Sequence, residues 1–186
     1  ANGAAGDLGR EYTAAVFALT RAGGSEHIRP YLGKLVPEGG LLDDAPIPPS
    51  VCGNAGLHNR VDLRRHFITA ATLRAASNRG VAISIGEFKE LSDMGGSSGF
   101  DFTDIVANNS GIRLSDRMMS ASAAEWPMIL DMLSDEAKVI ATLDGIPGAM
   151  SQAAFETTYT DVQSPEYFAV LNRIEARIDA LAVHRP

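Results

Sequence analysis

The chain is 186 residues long, with 23 acidic and 16 basic side chains, a formal charge of −7, 45% apolar residues and a single cysteine. The apolar share excludes a mainly disordered chain, and the lone Cys52 excludes an internal disulfide framework. The acidic balance argues against nucleic acid or an anionic membrane surface as the principal partner.

Residues 7–22 have the period of an amphipathic helix, with Leu8, Tyr12, Ala15, Val16 and Leu19 on one stripe. Gly23 and Gly24 end it, and Ser25 is placed to cap a short helix through Leu35. Residues 36–56 are too rich in Pro and Gly for a helix and lack strand alternation, so they read as a connecting loop, with Pro46-Ile47-Pro48-Pro49 extended. Three central helices follow over 57–119. The first is expected from Leu57 to Ser77, with Leu63, Phe67, Ala70, Ala71 and Leu73 at helical spacing. The second is expected from Val81 to about Met94, and the third from Asp101, with Asp101 or Thr103 as its cap, to about Met119. A further helix is expected over 123–142, with Pro127 near its start. A turn at Asp144–Gly148 precedes helices at 151–159 and 165–183, the last with Phe168, Leu171, Ile174, Ile178 and Leu181 on one face. Met118, Met119, Met128 and Met132 read as core filling.

With no hairpin-flanked period-2 run, the expected class is all-α: one helical domain over 1–186, orthogonal or bundle-like, around a central three-helix unit. No stretch approaches the ~20 apolar residues of a membrane span, so no integral membrane segment is expected. The first residues, Ala1 to Gly6, are small, like those that follow a cleavage point.

Polar residues capable of chemistry concentrate in the central helices. His58, Asp62 and His66 share one side of the first by i, i+4, i+8 spacing. Glu87 and Glu90 lie on a half-apolar face of the second beside Gly86, small enough for close helix approach, with Lys89 and Asp93 adjacent. Asp104 and Asn108 line the third. Antiparallel helices can bring such faces together. One reading is general acid–base chemistry, with Glu90 or Glu87 as acid or base, His66 oriented by Asp62, and Asp104 as a second carboxylate. Another is a divalent metal held by His66, Asp62, Glu90 and Asp93. The alternative to both is a structural ion-pair network, with Lys89, Arg64 and Arg65 neutralising the carboxylates. His58 reads as a cap or surface residue, and Asp62 and Asp104 are also favoured by helix dipoles alone.

The spacing is neither that of a His-Glu-x-x-His zinc helix nor that of paired Glu-x-x-His di-iron helices. Gly95–Gly99 lacks the Lys-Ser/Thr ending of a phosphate loop. Ser97 or Ser98 beside His66 lacks a Gly-x-Ser-x-Gly elbow, and Cys52 reads as an inert thiol.

The series Asp62-x-x-x-His66-Phe67, Lys89-Glu90-x-x-Asp93 and Gly99-Phe100-x-Phe102-x-Asp104-Ile105-x-Ala107-Asn108-x-x-Gly111 resembles the motifs of YfiM and VanZ-like bacterial envelope proteins, over roughly residues 58–115. It is closer to exported relatives in which a helical tail like Ser151–Leu181 follows. Arg64, Arg65, Arg74 and Lys89 distinguish these helices from the strongly apolar ones of membrane-embedded relatives. The resemblance implies an exported, periplasmic protein with an envelope component or polymer as partner, and it carries no settled reaction. Hydrolysis of an envelope polymer is the reaction class expected if the site is catalytic.

Overall fold

The computed structural model describes residues 2–24, 52–93 and 99–185. They form eight α-helices with no strand among them: α1 (Asn2–Gly23), α2 (Val61–Ala76), α3 (Arg79–Asp93), α4 (Phe102–Ser120), α5 (Trp126–Met132), α6 (Glu136–Val139), α7 (Gln152–Tyr159) and α8 (Pro165–Asp179), then a 3₁₀ turn at Ala182–His184. The all-α expectation holds, and no helix among the described residues is long and apolar enough to cross a membrane. The short helix expected before Leu35 and most of the Pro-rich loop fall outside the described residues, as does the glycine stretch at 94–98.

Helix α4 is the axis of the fold. It is buried from Phe102 to Met118 around most of its circumference, including Asn108, Ser110, Gly111 and Ser115, as expected of a helix packed on several sides. Its largest contact is with α2; α1 and α3 pack on this pair, and α8 and the 3₁₀ turn cover other faces of α4. The α2–α4 approach depends on Gly111, where a Cβ would collide with the backbone at Phe67 and come within 3.3 Å of Ala71 N. Gly86 performs the same service for α3, since a Cβ there would lie 3.1 Å from Asn108 Nδ2. One apolar cluster extends from Tyr12 to Val183, and a smaller one joins Ala70, Leu73, Ala82 and Ile112 across α2, α3 and α4.

Two buried hydroxyl chains add direction to this packing. Ser115 Oγ donates to Ala71 O at 2.8 Å, so Tyr12 O–H supplies the proton of its 2.6 Å bond to Ser115. In the same way Thr72 donates to Val16 O at 3.0 Å and receives Thr20 at 2.6 Å. Burial raises the Tyr12 hydroxyl to about 12, keeping it a donor. The C-terminal helices are seated by rings: Phe100, Phe102, Phe155, Tyr159 and Tyr167 meet at centroid distances from 4.7 to 6.4 Å. A two-residue bridge between Phe100 and Met150, with N···O distances of 2.9 and 2.8 Å, closes that corner.

Several expectations need correction. Helix α1 buries Tyr12, Val16, Phe17 and Thr20, whereas Leu19 is 48% exposed and Ala15 is also outward. The first central helix begins at Val61, because 57–60 form a tight turn. The single helix expected over 123–142 is two, α5 and α6, since Asp135 takes an extended conformation and caps Ala137 N at 3.1 Å. Met119 and Met128 are exposed rather than core filling, unlike Met118. Phe168 points outward from α8, and the helical path ends at Asp179 before the 3₁₀ turn.

Candidate functional site

The site begins at a turn without glycine. Leu57 N and Arg60 N each bond the other residue's carbonyl, at 3.0 and 2.8 Å, around His58 (φ 49°) and Asn59 (φ 60°). Two successive left-handed residues give the mirror-image turn of a tight hairpin. His58 is anchored rather than free at the surface: its N–H donates to Glu136 Oε1 at 3.0 Å, and its ring Nε2 donates to Ala141 O at 3.0 Å. The turn ties 57–60 to α6 and its following strand-like residues, and it aims Arg60 at the start of α4.

Arg60 is the hub. Its Nη2 lies 2.5 Å from Asp62 Oδ2, 3.1 Å from Asp101 Oδ2 and 3.6 Å from Asp104 Oδ1. Its Nη1 donates to Thr103 Oγ1 at 2.7 Å, and that hydroxyl donates to Asp101 Oδ1 at 2.6 Å. Asp101 also caps α4, accepting from Thr103 N at 2.7 Å, as its position predicts. Three carboxylates around one guanidinium are tolerable because the first turns of both α2 and α4 face them with positive dipole ends. The Arg60 hydrogen bond holds the Asp62 carboxyl below its ordinary range, and Asp62 with Asp101 pushes the guanidinium further toward its charged form.

His66 stands one turn along α2 from Asp62, with 10% of its side chain exposed. The carboxylate that meets its ring is Asp104, where the sequence pairs it with Asp62: Asp104 Oδ2 lies 3.1 Å from Nε2. Asn108 Oδ1, one α4 turn further on, lies 3.2 Å from Nδ1. The other oxygen of Asp104 is buried and has no hydrogen-bond partner among the described residues. Asn108 in turn abuts Gly86, so α3 backs the pair. Glu87, next to Gly86, is half-buried, and burial pushes its carboxyl up.

The structure therefore brings together Asp62, Asp104, His66 and Asn108 of the residues singled out from sequence, and adds Arg60, Asp101 and Thr103 in structural roles. Helix α3 includes Glu90 and Asp93, whose side chains lie outside the described residues. Arg60 is the residue that sequence reasoning missed. Its signal was positional: Asp62 and Asp104 put acids in the first turns of two helices and Asp101 caps the second, while Arg60 stands directly before the first of them. Arg64, considered as a neutralising cation, instead donates to the carbonyls of Gly23, Cys52, Gly53 and Ala55. Among the described residues no group of three or more His, Cys, Asp or Glu is arranged to hold a metal ion.

Fold and site together define an all-α domain with an acidic, arginine-centred cluster where the first turns of α2 and α4 meet. No family model, curated protein or solved structure matches the chain.

Proposed function

We propose that the chain is a non-catalytic binding or scaffold domain of the bacterial cell envelope, in which the Arg60 cluster is an ion-pair knot joining α2 to α4. The observation that carries this reading is the engagement of His66, whose two ring nitrogens both already have a partner, Asp104 at Nε2 and Asn108 at Nδ1. A catalytic histidine oriented by a carboxylate keeps its second nitrogen for the reacting proton. The envelope setting rests on the motif resemblance over 58–115, and cell fractionation checks it: recovery with periplasmic markers supports it, and recovery with cytoplasmic ones overturns it.

Thermal melts at pH 7 test the knot. Arg60→Met leaves Asp101 and Asp104 without their cation and is expected to cost about 2 kcal/mol, a Tm loss of roughly 4–8 °C. A catalytic carboxylate held at a cost behaves oppositely, so an Asp104→Asn variant as stable as the parent, or more so, overturns the reading.

A second reading is favoured by Glu87. A half-buried carboxyl whose titration burial shifts upward suits a general acid better than an exposed one does, and in an envelope setting the substrate class is a cell-wall polymer. Here burial penalises the charged form, so Glu87 destabilises the fold as pH rises through its raised value. Glu87→Gln then raises Tm at pH 8, with the gain fading toward pH 4. If purified cell-wall polymer is cleaved by the parent and not by Glu87→Gln, the catalytic reading displaces the knot.

A further inference from the structure

The second half of α4 carries a feature unrelated to the Arg60 cluster. The Ala182–His184 turn folds back after α8 and packs on α4, α5 and α6, with Val183 only 1% exposed. Arg117 Nε donates to Val183 O at 3.2 Å, fastening the turn to α4. Next to that anchor the ring of His184 is half-buried, and its Nε2 is buried with no hydrogen-bond partner among the described residues.

The charges around this ring are accounted for element by element. From α4 it is faced by Arg113, Asp116 and Arg117, and from α8 by Asp179. Both carboxylates already have cations: Arg74 at 2.5 Å and Arg79 at 3.6 Å on Asp116, and Arg113 on Asp179. At the start of α5, Glu125 is bound by Arg117 at 2.7 Å; Asp131 is exposed. On α6, Glu136 pairs with His58 and Lys138 with Asp135, each at 3.5 Å. A proton on His184 thus enters a half-buried place that also feels the charges of Arg113 and Arg117, while Asp116 and Asp179 are each paired with an arginine.

We infer that the C-terminal turn is an acid-released latch: neutral His184 lets it seat on α4, α5 and α6, and protonation of the ring drives it off, uncovering the apolar surface beneath Val183 and Leu181. Burial first, and then Arg113, hold the seated ring near 4, against 6.5 for a free one. A histidine whose value is lowered by docking favours the docked state fully above pH 6.5. That advantage is lost as pH falls from 6.5 toward 4, and the docking equilibrium weakens roughly a hundredfold by pH 4.5.

Trp126 is the sole tryptophan and lies in α5, against which the turn packs. Its fluorescence in the full chain, followed from pH 8 to 4 beside far-ultraviolet dichroism, reads the release. The expected result is a step in emission between pH 6.5 and 4 while helical content is unchanged, and its loss in His184→Gln. An unchanged step in that variant, or no step in the parent, overturns the latch. If His184→Gln fails to fold at pH 8, exchange in the parent at the His184 amide, which bonds Leu181 O at 3.1 Å, decides after correction for the intrinsic rate. Protection lost between pH 6.5 and 4.5 supports the latch, and protection retained overturns it.

Discussion

Thr160 ends α7 with φ 62° and ψ −60°, while Asp161 N donates to Tyr159 O at 2.6 Å. This is the tight three-residue turn with positive φ, rare because a side chain crowds the backbone there, and a β-branched one crowds it more. Such a conformation costs of order 1–3 kcal/mol, and glycine adopts it without that strain at some entropic cost. Thr160→Gly is therefore expected to raise stability by about 1 kcal/mol, read as a Tm gain of roughly 2–4 °C. Nothing in the local sequence announces the turn, because threonine is a residue that avoids it. The same reason hid the start of α2: His58 and Asn59 take left-handed angles without a glycine, so four residues of turn read as the first turn of a helix. Asp101 was legible for the opposite reason, since an aspartate before an apolar helix has one favoured job, the cap.

At the level of elements, helix existence follows from apolar spacing, and α3, α7 and α8 begin and end within a few residues of expectation. What spacing alone does not supply is which face wins when several are apolar. On α1 the expected stripe holds at Tyr12 and Val16, while Phe17 and Thr20 are buried in place of Ala15 and Leu19. The two hydroxyl chains to α2 and α4 explain why, because Tyr12, Thr20, Thr72 and Ser115 satisfy one another only in that rotation. Polar residues thus set the register of an interface that apolar spacing left open. The α2–α4 contact is set by the missing side chain at Gly111. Gly111→Ala forces a methyl against the backbone of the α2 turn from Phe67 to Ala71, and neither helix can yield without shifting the other. The expected loss is about 3 kcal/mol, at the upper end of overpacking costs, measured by urea unfolding with an unchanged m-value. The candidate site was half legible on the same logic: positions on a helix face are readable, whereas Arg60 acts from a turn that had no periodicity to betray it.

Across the whole molecule, the net negative charge is organised by where helices start. Asp62, Asp101 and Asp104 crowd the first turns of α2 and α4, and one arginine serves all three. Further along α4, Asp116 joins Arg74 of α2 and Arg79 of α3, and Arg79 reaches Glu175 of α8 at 3.6 Å. Since the Asp62 carboxyl is lowered in the fold, its share of stability is present above the unfolded value and is lost as pH falls through the folded one. A last consequence follows from Arg64. Gly23 and Cys52, 29 positions apart in sequence, stand side by side: a Cβ on Gly23 would lie 2.7 Å from Cys52 Sγ, while Arg64 bonds carbonyls of both residues. One side chain of α2 thus fastens the end of α1 to the stretch that leads into α2, by hydrogen bonds to backbone rather than by charge pairing. Arg64→Ala is accordingly expected to cost about 1 kcal/mol, read as a Tm loss of roughly 2–4 °C, and the loss is insensitive to salt because no carboxylate takes part.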